Sequence, residues 1–480
     1  NSFLYSSDMS YLSGVKLAEV IKQSHQVLEI SNKWSKLMDT SIVNVSGPTG
    51  MRYKGEFFFG QKGNFVVAED LLSVINRDVI NEFVSLLNED TSQAELFLNQ
   101  HNITFESELA QIEEKNFAFH IVYKLQRAGE REIYAMDLYT KLHQQMIEGM
   151  FDHLCQLFPN EFIHIPSNMR SQKIHSFVHD RIHLENIYWA TLDCTKFAPR
   201  TNINKYVMFI LGAASVLPKS FVEFSLSFLY KYYEKEIHVN ETVLNAFLND
   251  KNMSYSRRFT KDDYNSSYSF NMEFSFVMGI LNKLSSLFHV CSILVANDLI
   301  PEILKSNGND TLFHAHIMGH SDDSGGTFEA NTKESLYLGT KTYEAVQLLS
   351  NHNFSLKKCV LCTKLVYFEF LSVLYINKRL LPLEIKFISN LEYEPSNKGP
   401  AHDLMKCVNK GVETVLMGGS FEIAYLRKIL SANMILDFYK IKVDDNYPVQ
   451  CCGFPSSHVL MDMVCGSSSD IVRLLHVNKE

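Results

Sequence analysis

The chain has 480 residues, with 45 Lys and Arg against 54 Asp and Glu, for a formal net charge of −9 and a sequence pI near 6.1. That balance excludes a basic nucleic-acid coat. A composition of 46% hydrophobic and 12% aromatic residues with only 11 Pro excludes disordered, collagenous and low-complexity chains. At about 100–200 residues per domain, the length corresponds to about three domains or one multi-lobed unit.

Nine cysteines, an odd number without dense spacing, point to a reducing compartment and favour the cytosol. The apolar run Val207 to Pro218 falls short of the roughly 20 residues a spanning helix needs, so no membrane span is expected. The chain opens Asn-Ser-Phe with no initiator Met or charged leader, as expected of a piece of a longer protein.

Residues 1–115 read mostly helical; over Asp70 to Asn88, for example, Leu71, Leu72, Ile75, Val79, Ile80, Phe83, Val84 and Leu87 recur at helical spacing. Gly47-Pro48-Thr49-Gly50 is a turn that lacks the Lys-Ser/Thr end of a phosphate loop, and Gly55 to Gly63 brackets an aromatic hairpin. From Asn116 onward, β-rich runs at Phe117 to Leu125, Ile187 to Leu192, Phe313 to Met318 and Val360 to Phe370 alternate with helices. This predicts a mixed α+β body. The polar, Asn- and Tyr-rich stretch from Glu234 to Ser269 predicts a surface excursion.

Five segments carry chemistry. Lys124, Arg127 and Arg131, with Gln126 among them, set cations around a Gly turn, an arrangement that suits a polyphosphate as well as a solvated face. The apolar strand from Ile187 ends in Asp193, with Lys196 three positions later; such a carboxylate caps a turn or binds metal. Phe276 to Leu287 reads as a Gly loop running into an amphipathic helix, placing Gly279, Asn282, Ser285 and Ser286 where a helix N-terminus meets a sugar or phosphate. The β-like His314-Ala315-His316-Ile317 leads to Ser321-Asp322-Asp323-Ser324-Gly325-Gly326, a hairpin with two carboxylates at its bend. Adjacent aspartates repel unless a cation neutralises them, although Asp, Ser and Gly are also ordinary turn residues. Last come Lys357-Lys358 and Glu369-Phe370-Leu371-Ser372.

The order of these segments resembles the RNA-dependent RNA polymerase core of the large protein of segmented negative-strand RNA viruses of the bunyavirus type. That family carries Lys-x-Gln-x4-Arg-Glu, Asp-x2-Lys-Trp, Gln-Gly-x-x-Asn-x-x-Ser-Ser, Ser-Asp-Asp, Lys-Lys and Glu-Phe-x-Ser in succession, matched here over Lys124 to Ser372. Phe197 departs from Trp and Met278 from Gln; the first keeps an aromatic group, and the second removes a hydrogen-bonding one. Gly453-Phe454-Pro455 through Cys465-Gly466-Ser467 loosely resembles a later family segment.

The resemblance implies a right-hand polymerase core. Fingers would occupy 1–185, the palm 186–215 and 271–365, a fingers insertion 216–270, and the palm end and thumb start 366–480. It implies nucleotidyl transfer from NTP to the 3′-hydroxyl of RNA, with two Mg²⁺ or Mn²⁺ ions on Asp193, Asp322 and Asp323 and Glu369 as a further ligand. Lys124, Gln126, Arg127, Arg131, Lys196, Gly279 and Ser321 would bind NTP, Asn282, Ser285 and Ser286 would monitor the ribose, and Lys357 or Lys358 would protonate pyrophosphate. Arg52 and Tyr53 would face the template. The implied partners are RNA template and product, NTPs, nucleoprotein-coated RNA and the rest of a parent polymerase, in the host-cell cytoplasm and the virion.

Two other classes stand beside this one. A metal-dependent hydrolase would use His314, His316 and Asp322 on one face of a straight strand. A non-catalytic RNA-binding fragment would bind without acting. Cys359-Val360-Leu361-Cys362 has zinc-knuckle spacing but no second Cys/His pair at the expected distance, so it reads as a buried pair in a strand.

Overall fold

The computed structural model describes residues 2–23, 116–124, 131–136, 138–195, 197–240, 260–262, 267–271, 276–277, 280–308, 312–355, 357–381 and 419–440, together with Asp403 and Thr414. The segments Asp70 to Asn88, Gly47 to Gly50, Gly55 to Gly63 and Gly453 to Ser467 lie outside the described residues. The architecture is mixed α+β with largely antiparallel sheets. The chain divides into two compact units, residues 1–164, 192–324 and 328–359 in the first, and 165–191, 325–327 and 360–480 in the second.

Helical spacing of apolar side chains builds the core of the first unit. Helix α1 (Ser2–Gln23) buries Leu17, Ala18 and Ile21; α2 (Leu138–Cys155) buries Ile147, Met150, Phe151 and Leu154. Helix α3 (Asn204–Ala213) buries Tyr206, Phe209, Ile210 and Ala213, and α4 (Lys219–Lys231) buries Phe221, Phe224, Phe228 and Leu229. Steps of three and four place each set on one stripe. The stripes close around α5 (Asn282–Ser306), which packs against α1, α2, α3 and α6 (Lys333–Leu349). Where α1 crosses α3, a Cβ on Gly14 would stand 2.0 Å from the Phe209 carbonyl oxygen, and one on Gly212 would stand 2.3 Å from that of Tyr11. The two backbones touch because both positions lack a side chain.

By length and composition α5 could cross a membrane; its most apolar stretch has mean hydropathy 1.6, and 61% of that stretch is buried inside the protein. The sequence expectation rested on Val207 to Pro218 and passed over this helix, whose Ser, His, Cys and Asn residues interrupt the apolar runs.

The strands are β1 (Ala118–Lys124), β2 (Arg131–Met136), β3 (Ile187–Asp193), β4 (Glu236–Asn240), β5 (Thr260–Asp262), β6 (Ser267–Asn271), β7 (Phe313–His320), β8 (Asp323–Ala330), β9 (Val360–Thr363), β10 (Tyr367–Phe370), β11 (Val373–Ile376) and β12 (Arg379–Leu381). One sheet has the order β2-β1-β4-β6-β5. Strand β4 is central to it, parallel to β1 and antiparallel to β6, with Ile237 and Val239 buried. This corrects the first part of the reading of Glu234 to Ser269 as a surface excursion: the alternation Ile237-His238-Val239 is a half-buried strand hidden among polar neighbours, while residues 241–259 and 263–266 lie outside the described residues.

A second sheet has the order β7-β8-β3-β9, with β3 and β9 antiparallel from Tyr188↔Thr363 to Thr191↔Val360. The run read as one strand from Val360 to Phe370 is two, β9 and β10, because Lys364 and Leu365 both adopt positive φ and reverse the chain. Leu371 with Ser372 and Asn377 with Lys378 repeat that device between β10, β11 and β12. In the second unit Trp189 is buried, edge-on to Phe177 and Phe368, and His175 Nδ1 lies 2.7 Å from the Tyr375 hydroxyl of β11.

Candidate active site

Asp193 is the last residue of β3, and the segment Asn353 to Cys359 grips it. Its carbonyl accepts from Ser355 N–H at 2.8 Å, its own N–H donates to Cys359 Sγ at 3.5 Å, and Thr195 N–H donates to Asn353 O at 2.7 Å. On the same segment Lys358 Nζ donates to Asp193 Oδ2 at 2.9 Å. Of the two candidate lysines, Lys358 therefore reaches the strand-end carboxylate, while Lys357 is exposed on the same turn. The neighbouring Cys194 thiol is buried and pushed far up, first by that burial and then by the Asp322 carboxylate. Asp193 adds to the shift and Lys205 opposes it. Asp193 and Asp322 thus act on one buried sulfur.

Strands β7 and β8 form the expected hairpin, with Ser321 and Asp322 at the turn and Asp323 opening β8. Ser321 takes φ +57°, a left-handed conformation that a non-glycine residue adopts only under constraint. Helix α5 supplies the constraint at both ends of the residue. Ser321 N–H donates to Ser286 Oγ at 3.0 Å, and Ser321 O accepts from His289 Nδ1–H at 2.9 Å. Ser286 is buried and donates in turn to the fully buried carboxylate of Glu161. The backbone around Glu161 also edges β7: Gly319 N–H donates to Asn160 O and Phe162 N–H to Gly319 O, both at 2.9 Å.

The start of α5 is also taken. Glu148 of α2 accepts from Lys283 N–H at 3.0 Å and from Leu284 N–H at 3.4 Å, so a carboxylate of the protein itself occupies the positive helix end considered for a phosphate. Burial raises the Glu148 carboxyl above its ordinary value, against the pull of Lys283 and these amides. Asn282 is half-buried, whereas Ser285 and Ser286 are buried.

Behind the hairpin lies a buried basic cluster. Lys205 Nζ lies 4.8 Å from the Phe197 ring centre and 5.0 Å from those of Tyr206 and Phe288, with no hydrogen-bond partner among the described residues. Burial pulls its pKa down to about 7, opposed by Cys194. The rings of His289 and His352 are 4.3 Å apart; burial lowers His289 to about 4 and His352 well below its ordinary value. Phe197, in the place of the family's Trp, stacks on His352 at 5.9 Å and keeps the aromatic packing.

The other expected residues fall elsewhere. Lys124 and Arg131 are cross-strand partners at the end of the β1–β2 pair where the chain passes from one strand to the other, and their side chains lie outside the described set. Gln126, Arg127, Lys196, Met278, Gly279, Arg52 and Tyr53 lie outside the described residues. Glu369 belongs to the second unit, where its Oε2 accepts from the Tyr367 hydroxyl at 2.7 Å.

His314 and His316 stack edge to face at 4.4 Å, and His316 Nε2 approaches Glu329 Oε2 at 3.5 Å. They share a face as period two requires, but no group of three His, Cys, Asp or Glu side chains able to hold a metal forms among the described residues, Asp193, Asp322 and Asp323 included. Cys359 and Cys362 are half-buried rather than buried, and they serve separate contacts, Cys359 with Asp193 and Cys362 with the backbone of Tyr367. Asp193, Asp322 and Asp323 are hard oxygen donors, which suit Mg²⁺ or Mn²⁺ rather than zinc.

Sequence reasoning missed Glu161, Glu148, His289 and Lys205. Glu161 had one local signal, a lone carboxylate flanked by Leu157, Phe158, Phe162 and Ile163.

Fold and site together define a mixed α+β protein whose carboxylate-bearing hairpin lies next in the sheet to a strand ending in Asp193. The family described as Bunyavirus RNA dependent RNA polymerase matches residues 90–450, and the chain belongs to that family. It is 25% identical over 388 residues to the RNA-directed RNA polymerase L of European mountain ash ringspot-associated virus (isolate Sorbus aucuparia). That match covers 73% of this chain and 16% of the relative, so the chain spans about a sixth of the length of the curated relative it matches.

Proposed function

We propose that this chain carries template-directed RNA synthesis, the transfer of a nucleotide from NTP to the 3′-hydroxyl of RNA, within a larger polymerase. The observation that carries the reading is the Lys358–Asp193 pair at the end of β3, in the strand next to the Asp322–Asp323 hairpin. Asp193, Asp322 and Asp323 would hold two Mg²⁺ or Mn²⁺ ions, which supply activation of the hydroxyl and neutralisation of pyrophosphate. Lys358, already at hydrogen-bond distance from Asp193, holds the proton delivered to the leaving pyrophosphate. Lys124, Gln126, Arg127, Arg131 and Lys196 bind the triphosphate. Asn282 is the member of its set exposed enough to face the ribose, while Ser285 and Ser286 are buried and Ser286 supports the hairpin through the Ser321 N–H.

In this reading residues 186–215 and 271–365 form a palm, 1–185 and 216–270 the fingers, and 366–480 lead into a thumb. The partners are RNA, NTPs, nucleoprotein-coated RNA and the remaining domains of the parent protein, in the host cytoplasm and the virion. The test is primer extension on an RNA template with Mn²⁺ and labelled nucleotides. Asp322→Ala is expected to abolish extension while leaving thermal melting and template binding close to those of the parent chain. Retained elongation in that variant overturns the assignment.

A further inference from the structure

The Asp322–Asp323 pair follows a residue in a strained conformation, so something must hold Ser321 at positive φ. The hold is a directional chain of hydrogen bonds. Glu161 meets four donors, Ile163 N–H at 2.9 Å and the Ser286 hydroxyl on Oε1, then His164 N–H at 3.2 Å and His164 Nδ1–H at 2.7 Å on Oε2. A carboxylate has about four lone-pair sites, and here every one is filled. Because the Ser286 proton is committed to Glu161, the Ser286 oxygen presents a lone pair to Ser321 N–H. Burial alone would push the Glu161 carboxyl up, but the bonds from His164, Ser286 and the two amides outweigh it and hold the group below its ordinary value. It is therefore an acceptor at neutral pH.

We propose that Glu161 is a positioning residue for the polymerase reaction, acting through Ser286 to fix the backbone of Ser321 and so the direction in which the Asp322 and Asp323 carboxylates are presented. The inference rests on the polymerase reading for its effect on rate, but not for its effect on the bend. Gln is nearly isosteric with Glu yet offers one oxygen and turns an NH₂ toward donors, so Glu161→Gln must break part of the chain. Ser286→Ala removes a single oxygen and breaks it outright.

The experiment uses the full chain. Amide hydrogen exchange at Ser321 is read by mass spectrometry with residue-level fragmentation, together with extension rate, NTP KM and melting temperature, for Glu161→Gln, Ser286→Ala and the double variant. Ser321 exchange is expected to quicken by about tenfold or more in each single variant as the amide loses its acceptor. The extension rate should fall by about tenfold or more, with NTP KM changing by less than about twofold. The double variant should be no slower than Ser286→Ala alone, because both changes cut one chain. Unchanged Ser321 exchange in a folded variant overturns the proposal, as does a double variant whose loss is the product of the two. Should Glu161→Gln lose cooperative melting, Ser286→Ala decides alone. If the parent chain extends no RNA while Ser321 exchange responds as expected, the polymerase reading falls and the positioning chain stands.

Discussion

At the scale of single residues, the site is built from contacts that join distant parts of the chain. Lys358 and Asp193 are 165 residues apart, and Ser286 and Glu161 are 125 apart. The Lys358 side chain is 64% exposed and that of Asp193 28%, so the pair adds little to folding; Lys358→Ala should change stability by less than about 1 kcal/mol. In the proposed reading its effect belongs to the chemistry. Lys358→Ala is expected to slow primer extension by about 100-fold, a loss of the size expected for a general acid. Lys357→Ala should cost much less, and single-turnover rates with melting curves for both variants check the contrast. Asp193, Asp322 and Asp323 stood out as candidates because each sits in a short motif. Glu161, Glu148 and His289 were not, because nothing within a few residues announces that a buried polar group's partner lies on another helix or strand.

At the scale of elements, period-two alternation found β7, whose Phe313, Ala315 and Ile317 face the core while His314 and His316 face away. It failed where the backbone rather than the pattern sets the outcome. The turn at Lys364 and Leu365 contains no Gly, Asn or Asp to mark its two positive φ angles. The crossing of α1 over α3 was equally silent, since a lone Gly in a helical pattern reads only as a weak helix former. Its role yields a prediction. Gly14→Ala or Gly212→Ala forces a methyl into backbone atoms that cannot move aside as a flexible side chain would. Each is expected to destabilise the first unit by about 1–3 kcal/mol in denaturant titration.

At the scale of the whole molecule, an acidic chain keeps a cation out of water. Lys205 ordinarily titrates at 10.5 and in the fold at about 7, chiefly through burial. Between those values the unfolded chain binds a proton that the folded chain releases, so stability rises with pH across that window and the full penalty applies below it. His289, lowered to about 4 from 6.5, adds the same sign between those values, and His352 shifts in the same direction. Stability should therefore fall on acidification from about pH 10 to 7 and again from about 6.5 to 4. Lys205→Met should be more stable than the parent chain at pH 7 by on the order of 1–4 kcal/mol, with the gain shrinking toward pH 10. Chemical denaturation at both pH values measures it. The net charge of −9 gave no hint of this lysine, because composition counts charges without locating them.

Helix α1 has one more consequence. The family match starts at residue 90, yet Leu17 and Ile21 complete the same core as Phe209, Phe288 and Met150. The boundary drawn by sequence kinship is therefore narrower than the boundary drawn by burial. A protein trimmed to the matched region would keep every candidate catalytic group and lose the cover over α3 and α5, turning an interior face into a sticky exterior one. For this fold, the smallest piece that carries the motifs is smaller than the smallest piece that can keep water out.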